Sequence, residues 1–144
     1  MATSYNNFKI LITKISRQIH QIEEHEMRAI NLKSQHISCL YYLLLSEKLR
    51  AKDIVDYYLE DKGQVSRSLD FLEKNGYIVC ESTAQKRYNA YYYLTDKGKE
   101  IAKYVEEKID EIVFKVSDSL SEKERIVMYK CLSTISKNLE KIKE

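Results

Sequence analysis

Residues 51–95 read A-K-D-I-V-D-Y-Y-L-E-D-K-G-Q-V-S-R-S-L-D-F-L-E-K-N-G-Y-I-V-C-E-S-T-A-Q-K-R-Y-N-A-Y-Y-Y-L-T, and this stretch decides the fold. Its first part places Ile54, Val55 and Tyr58 on one helical face. Glu60, Asp61, Lys62 and Gly63 interrupt that period, and a second helix follows in which Val65, Leu69 and Leu72 are spaced four and three apart. Two short helices around a tight, Gly-containing turn make a helix-turn-helix. Asn75-Gly76 tolerates a left-handed cap and closes the second helix. Two β-rich runs come next, Tyr77 to Cys80 and Tyr88 to Leu94. Alternation in the latter sets Ala90, Tyr92 and Leu94 against Tyr91 and Tyr93. Helix, turn, helix and hairpin together predict a winged helix-turn-helix.

Outward from this stretch the chain is helical. Toward the N-terminus, residues 34–47 are apolar on more than one side (Ile37, Leu40, Tyr41, Leu44, Leu45), which predicts a central buried helix with Ser34 as its N-cap. Residues 5–30 predict one long helix with a narrow stripe of Phe8, Ile12, Ile15, Ile19 and Ile22 that lapses at Glu26 and resumes at Ala29. That stripe alone fits equally a helix lying on its own domain and a seam that meets another subunit. Toward the C-terminus, Thr95 is placed to cap a helix running to about Asp118, lined by Ile101, Val105, Ile109, Ile112, Val113 and Val116. Ser121 with Glu124 is a capping box for a last helix carrying Val127, Leu132, Ile135, Leu139 and Ile142. A lobe of about 60 residues is too small to cover three such stripes, whereas two copies of the chain can cover them mutually. The expected architecture is mainly α with a small β-hairpin wing. Residues 31–95 form the winged-helix lobe, and 1–30 and 96–144 a helical dimerisation lobe.

Composition sets the outer limits. With 144 residues, 44% hydrophobic and 32% charged, the chain fits one globular domain of modest core. It has no proline and three glycines, so little of it is linker. The longest apolar run, Leu40 to Leu45, falls far short of the roughly 20 residues of a membrane span, and Met1 to Lys9 lacks the apolar core of a secretory signal. A cytoplasmic location with no membrane partner is expected. Cys39, Cys80 and Cys131 are odd in number and widely spaced, which argues against disulfides and paired-cysteine metal sites and predicts small buried hydrophobes.

The net charge of +2 says little about nucleic acid, and cations equal acids over residues 34–95. Local bias says more. Residues 62–69 and 82–95 hold Lys62, Arg67, Lys86 and Arg87 and no acid, on the two surfaces a winged helix presents to DNA. In the recognition helix Gly63, Gln64, Ser66 and Arg67 lie opposite Val65 and Leu69. Arg pairs with guanine and Gln with adenine in the major groove, and Ser reaches a phosphate or a base.

Val65 to Ile78 (V-S-R-S-L-D-F-L-E-K-N-G-Y-I), then Lys86-Arg87-Tyr88, then Tyr93 to Gly98 (Y-L-T-D-K-G), resemble the MarR/SlyA family of bacterial transcriptional regulators. The order and spacing of these pieces carry the resemblance, since Leu-Glu-Lys-x-Gly alone occurs in many winged helices. The resemblance implies a homodimer whose first, fifth and sixth helices form the interface. It also implies binding to a pseudo-palindromic double-stranded operator, and repression relieved by a small, often aromatic effector in a cleft between the lobes. No residues in the sequence mark that cleft; Tyr41, Tyr42, Tyr57 and Tyr58 are of a type to line one but fit a core better. Family members often carry an Asp in the wing that orients an Arg into the minor groove. Here the three aligned positions are Lys86, Arg87 and Tyr88, without the acid, so Arg87 is expected chiefly to attract phosphate.

Other chemistries find less support. No Gly-rich phosphate loop, Gly-x-Ser-x-Gly elbow or His-Glu-x-x-His is present, so catalysis is not expected, nor any cofactor. His20, Glu24, His25 and His36 are zinc-ligand types, but the fifth helix offers only Glu106, Glu107, Asp110 and Glu111 as partners and no histidine. No metal site is expected. The alternatives to a DNA-binding regulator are a winged helix used for protein interaction and a metal-responsive regulator.

Overall fold

The protein's structure, a computed structural model, describes residues 2–82 and 87–143. The chain forms two compact units that divide between Ile109 and Asp110. In the first unit the order is α1 (Ala2–Glu26), a 3-10 turn (Arg28–Ile30), α2 (Ser34–Ser46), β1 (Lys48–Arg50), α3 (Ala51–Tyr57), α4 (Lys62–Lys74), β2 (Ile78–Cys80), β3 (Tyr91–Leu94) and the start of α5 (Asp96–Ser117). The second unit holds the end of α5 and α6 (Glu122–Lys143).

The core of the first unit forms around α2, as its all-round apolar surface predicts. Ile37, Leu40 and Leu43 are buried against Ile54 of α3, Val65, Leu69 and Leu72 of α4, Ile78 of β2, Tyr92 of β3, and Ala102 and Val105 of α5. The α4 residues are the periodic set read from the sequence. Tyr92 faces this core from the inner side of the wing and Leu94 packs on it, while Ala90 is also buried.

Four local expectations are corrected. The first helix does not run to Ile30. Met27 drops fully buried into the core, the 3-10 turn follows, and Asn31 adopts φ 54°, its N–H bonding Arg28 O at 3.1 Å. Asn is among the few residues that take this left-handed region cheaply. Ser34 is not the cap of α2 but its first residue. The Lys33 N–H is satisfied instead by His36 Nδ1 at 3.2 Å, while the Ser34 hydroxyl donates to Glu23 Oε2 at 3.2 Å. The wing is not a bare hairpin, because β1 adds a third antiparallel strand in the order β1-β3-β2, with Leu49 opposite Tyr92 and Val79 opposite Tyr93. Lys48 and Arg50 of β1 lie over the Tyr91 ring, 4.5 and 5.5 Å from its centroid. Of the cysteines only Cys39 is buried; Cys80 is half-buried and Cys131 exposed.

The other caps form as read. Thr95 Oγ1 accepts the Gly98 N–H at 3.0 Å at the start of α5. Ser121 and Glu124 exchange bonds of 3.1 and 3.2 Å at the start of α6. In the second unit the Ser117 hydroxyl donates to Val113 O and Arg125 donates to Ser117 O. No residue of α6 is buried in the single chain. No helix among the described residues is long and apolar enough to cross a membrane.

Candidate nucleic-acid interface

The interface is built on α3, the turn and α4. Asp53 anchors the first turn of α3. Its Oδ2 accepts the Arg50 N–H at 3.0 Å and Nε–H at 2.9 Å, and its Oδ1 accepts Nη2–H at 2.7 Å. These bonds to Arg50 hold the Asp53 carboxyl below the usual aspartate range. The helix ends where the Tyr58 N–H bonds Ile54 O, and the turn that follows is fixed from α2. Tyr42 stacks on Tyr58 with centroids 3.7 Å apart, and its hydroxyl donates to Glu60 at 3.0 Å. Burial, then the Glu60 charge, push the Tyr42 phenol up.

The left-handed residue of the turn is Leu59 (φ 57°), not a glycine. Lys62 and Gly63, expected within the turn, already form the first turn of α4. Asp61 is the N-cap of that helix, its Oδ2 accepting the Gln64 N–H at 2.9 Å. A helix with its orphan N–H groups capped this way presents a fixed first turn.

Lys62, Gln64, Ser66 and Arg67 are exposed on that turn and the next, while Val65, Ser68, Leu69 and Leu72 are buried behind them. The Arg67 guanidinium folds back over Gly63: a Cβ added at Gly63 would lie 3.1 Å from Arg67 Nη1 and 3.2 Å from Asp61 Oδ2. Five of the seven sequence-predicted residues therefore share one end of α4. Lys86 lies outside the described residues.

Arg87 holds the base of the wing, and its surroundings differ from expectation. An orienting acid is present, supplied not by the wing but by the last turn of α4: Arg87 Nη1 donates to Glu73 Oε1. That carboxylate raises the pKa of the guanidinium further. The neighbouring Tyr88 ring receives Lys62, whose Nζ is 4.6 Å from its centroid. Between α4 and the wing base lies an open cleft of about 540 Å³, edged by Lys62, Ser66, Asp70, Arg87, Tyr88 and Asn89. Glu73 and Asn89 are thus site neighbours that sequence reading missed, and Tyr88, read there only as a wing position, is a third. The Glu73–Arg87 pair spans 14 residues, and no local spacing signals it.

The other candidates are engaged elsewhere. His36 lies flat on Phe71, with ring centroids 4.1 Å apart, besides accepting from Lys33, and burial lowers its pKa. His20 Nδ1 is 2.7 Å from Ser34 Oγ and 3.6 Å from Glu23. Tyr41 and Tyr42 pack on the core, whereas Tyr57 is exposed. Burial, then the Glu60 charge, push the Cys39 thiol up to about 12. A thiol so protonated and enclosed is a poor nucleophile. Iodoacetamide at pH 8 is therefore expected to leave Cys39 unlabelled in the folded protein and to label it in 6 M guanidinium, as read by peptide mass spectrometry. Labelling of the folded protein at Cys39 would mean the core opens far more than its burial implies.

Residues 36–113, which contain this whole assembly, match the family of the winged helix DNA-binding domain. The chain belongs to that family. Its fold is that of the MarR regulators, with six α-helices and a three-stranded antiparallel wing sheet among the described residues. A MarR transcriptional regulator from Methanosarcina mazei Go1 superposes with a TM-score of 0.83 at 20% identity, over 94% of this chain and 90% of that one. MepR of S. aureus, in complex with DNA, gives 0.79 at 22% identity over 92% and 97%. An organohalide sensing transcriptional regulator in its 2,4-dichlorophenol bound form gives 0.77 at 17% identity over 93% and 80%. Among curated proteins, the Holliday junction resolvase RecU of Streptococcus thermophilus is 38% identical over 65 residues, 44% of this chain. The match spans about a third (32%) of that relative's length.

Proposed function

We propose that the chain is a homodimeric transcriptional regulator of MarR type that binds a pseudo-palindromic double-stranded DNA operator in a sequence-specific way. In this reading residues 31–95 are the DNA-binding lobe, and 1–30 with 96–144 the dimerisation lobe. The two α4 helices of the dimer enter successive major grooves, at half-sites roughly one DNA turn apart. Gln64, Ser66 and Arg67 meet base edges there, and the small Gly63 lets backbone approach. Lys62 and Lys86 supply phosphate contacts, while Arg87 acts at the wing. The observation that carries the proposal is the capped first turn of α4, which exposes Lys62, Gln64, Ser66 and Arg67 together, with a half-buried Gly63 among them, in front of a buried Val65 and Leu69.

Repression is relieved by a small, aromatic effector. The likeness in fold to a regulator bound to 2,4-dichlorophenol supports that part of the reading. The protein acts in the cytoplasm.

Selection of bound sequences from random duplex DNA tests the central step. A two-fold-related motif is expected. On that motif Arg67→Ala is expected to cost about 1–3 kcal/mol and to relax the preference at one position of each half-site. No enrichment at all would leave protein interaction as the better reading of the winged helix. A motif that Arg67→Ala binds as tightly as the parent would move recognition away from α4.

A further inference from the structure

Lys62, Ser66, Asp70 and Glu73 are spaced four, four and three apart along α4, so they form one lengthwise stripe. Lys62 and Glu73, eleven residues apart, lie on nearly the same side of the helix about 16 Å from each other. Both ends of this stripe hold the wing base. Lys62 covers the Tyr88 ring at the N-terminal end, and Glu73 accepts from Arg87 at the C-terminal end. The stripe adjoins the one that carries Gly63, Gln64 and Arg67, so the wing is fastened beside the reading face of α4 rather than over it.

The two fastenings differ in charge. Lys62 meets an aromatic ring and keeps its full positive charge for a nearby phosphate. Arg87 meets a carboxylate and the pair is neutral. About a third of each side chain is exposed, 36% for Arg87 and 31% for Glu73. A surface ion pair of this kind contributes little to stability. Its consequence for DNA is larger, because counterion release counts only cations free to neutralise phosphates.

We propose that Glu73 is a positioning residue for DNA recognition: it holds Arg87 against α4, which sets the angle of the wing to the recognition helix and withholds Arg87 from the phosphates. The proposal rests on the DNA-binding reading above. It makes the acid of α4, and not one in the wing, the partner of the wing arginine in this chain. Specificity is the property it protects. A free guanidinium at the wing base would strengthen binding to every sequence alike, whereas a tethered one strengthens only the geometry in which the wing fits its groove.

The experiment is a salt series on the full chain, with the selected duplex and a random duplex, for the parent, Glu73→Gln and Glu73→Gln/Arg87→Gln. Releasing Arg87 in Glu73→Gln is expected to steepen the slope of log affinity against log salt by about one per subunit on random duplex. It is also expected to lower the ratio of selected to random affinity. The double variant is expected to return to the parent slope while keeping the lowered ratio. An unchanged slope in Glu73→Gln overturns the proposal. So does a slope that steepens equally in both variants, since Glu73 would then act only as a charge in the phosphate field. Should Glu73→Gln fail to fold, the double variant, whose pair is also neutral, is compared directly with the parent. An equal slope with a lowered ratio supports the tether, and a slope shallower by about one per subunit overturns it. A parent protein without sequence preference refutes the DNA-binding reading itself, an outcome distinct from all of these.

Discussion

Gly98→Ala is expected to destabilise the winged-helix unit by on the order of 3 kcal/mol, read as a lowered urea midpoint. A Cβ at this position would sit 1.8 Å from Tyr77 O and 2.8 Å from Tyr77 C, with Leu94 Cδ2 at 3.3 Å behind it. The obstacle is backbone, and it is backbone already in use. Tyr77 O accepts the Thr95 N–H at 3.0 Å, and the Thr95 hydroxyl donates to Gly76 O at 2.6 Å while accepting the Gly98 N–H. Lys97 Nζ adds a bond to Asn75 O at 2.7 Å. The end of α4 and the start of α5 are therefore tied at three points within a few residues, and a methyl at Gly98 forces them apart. Gly63→Ala is the control. Its Cβ meets only the movable ends of Arg67 and Asp61, in a helix where Ala is intrinsically preferred to Gly. A loss at Gly98 no larger than at Gly63 would show that the two helices do not cross as closely as described.

The same knot shows what was legible in the sequence. Gly76 at φ 76°, Thr95 as a cap and the Ser121–Glu124 box were all read from residue type and short spacing, because a cap or a left-handed residue is decided within four residues. Helix α4 was legible for the same reason: Val65, Leu69 and Leu72 bury one face, and helical geometry then sets Lys62, Gly63, Gln64, Ser66 and Arg67 together at its N-terminal end. What was not legible depends on partners distant in sequence. Lys48-Leu49-Arg50 has one apolar residue between two charges and no strand signal of its own; it is a strand because Tyr91–Tyr93 supplies the pairing. The stripe of the first helix lapses at Glu26 and resumes at Ala29 in the sequence, which reads as one helix, yet Met27 turns inward because a core assembled from α2, α4 and α5 receives it. Leu59 in a left-handed turn, where a glycine would cost less, follows from Tyr42 holding Tyr58 and Glu60 on either side of it. The acid for Arg87 was sought in the wing by analogy and is found in α4.

Ile135→Asp is expected to abolish the dimer and, with it, operator affinity by a factor of about 10²–10⁴. The stripes on α1, α5 and α6 motivate the substitution. In the single chain Phe8, Ile12, Ile15, Ile19 and Ile22 are each 41–45% exposed, and Val113, Val116, Val127, Leu132, Leu139 and Ile142 are exposed as well. Apolar stripes exposed on this scale along each helix mark interaction surfaces, and a second copy of the chain is the expected cover. Ile135 is half-buried in the middle of the α6 stripe, so a second copy seated there would enclose it. An aspartate enclosed without a partner either prevents association or is neutralised at a cost the interface must bear. The DNA consequence follows from the two half-sites: in a dimer the second recognition helix binds at the high effective concentration set by the first, and a monomer loses that advantage entirely. Sedimentation equilibrium at micromolar protein reads the association state, far-ultraviolet circular dichroism verifies that the helices persist, and titration of the selected duplex reads the affinity. Arg67→Ala, by contrast, is expected to remain dimeric while losing affinity, which separates the two lobes experimentally. A parent chain that sediments as a folded monomer, with Ile135→Asp binding DNA no less tightly, would refute the dimer and leave the α6 stripe without a role in DNA binding.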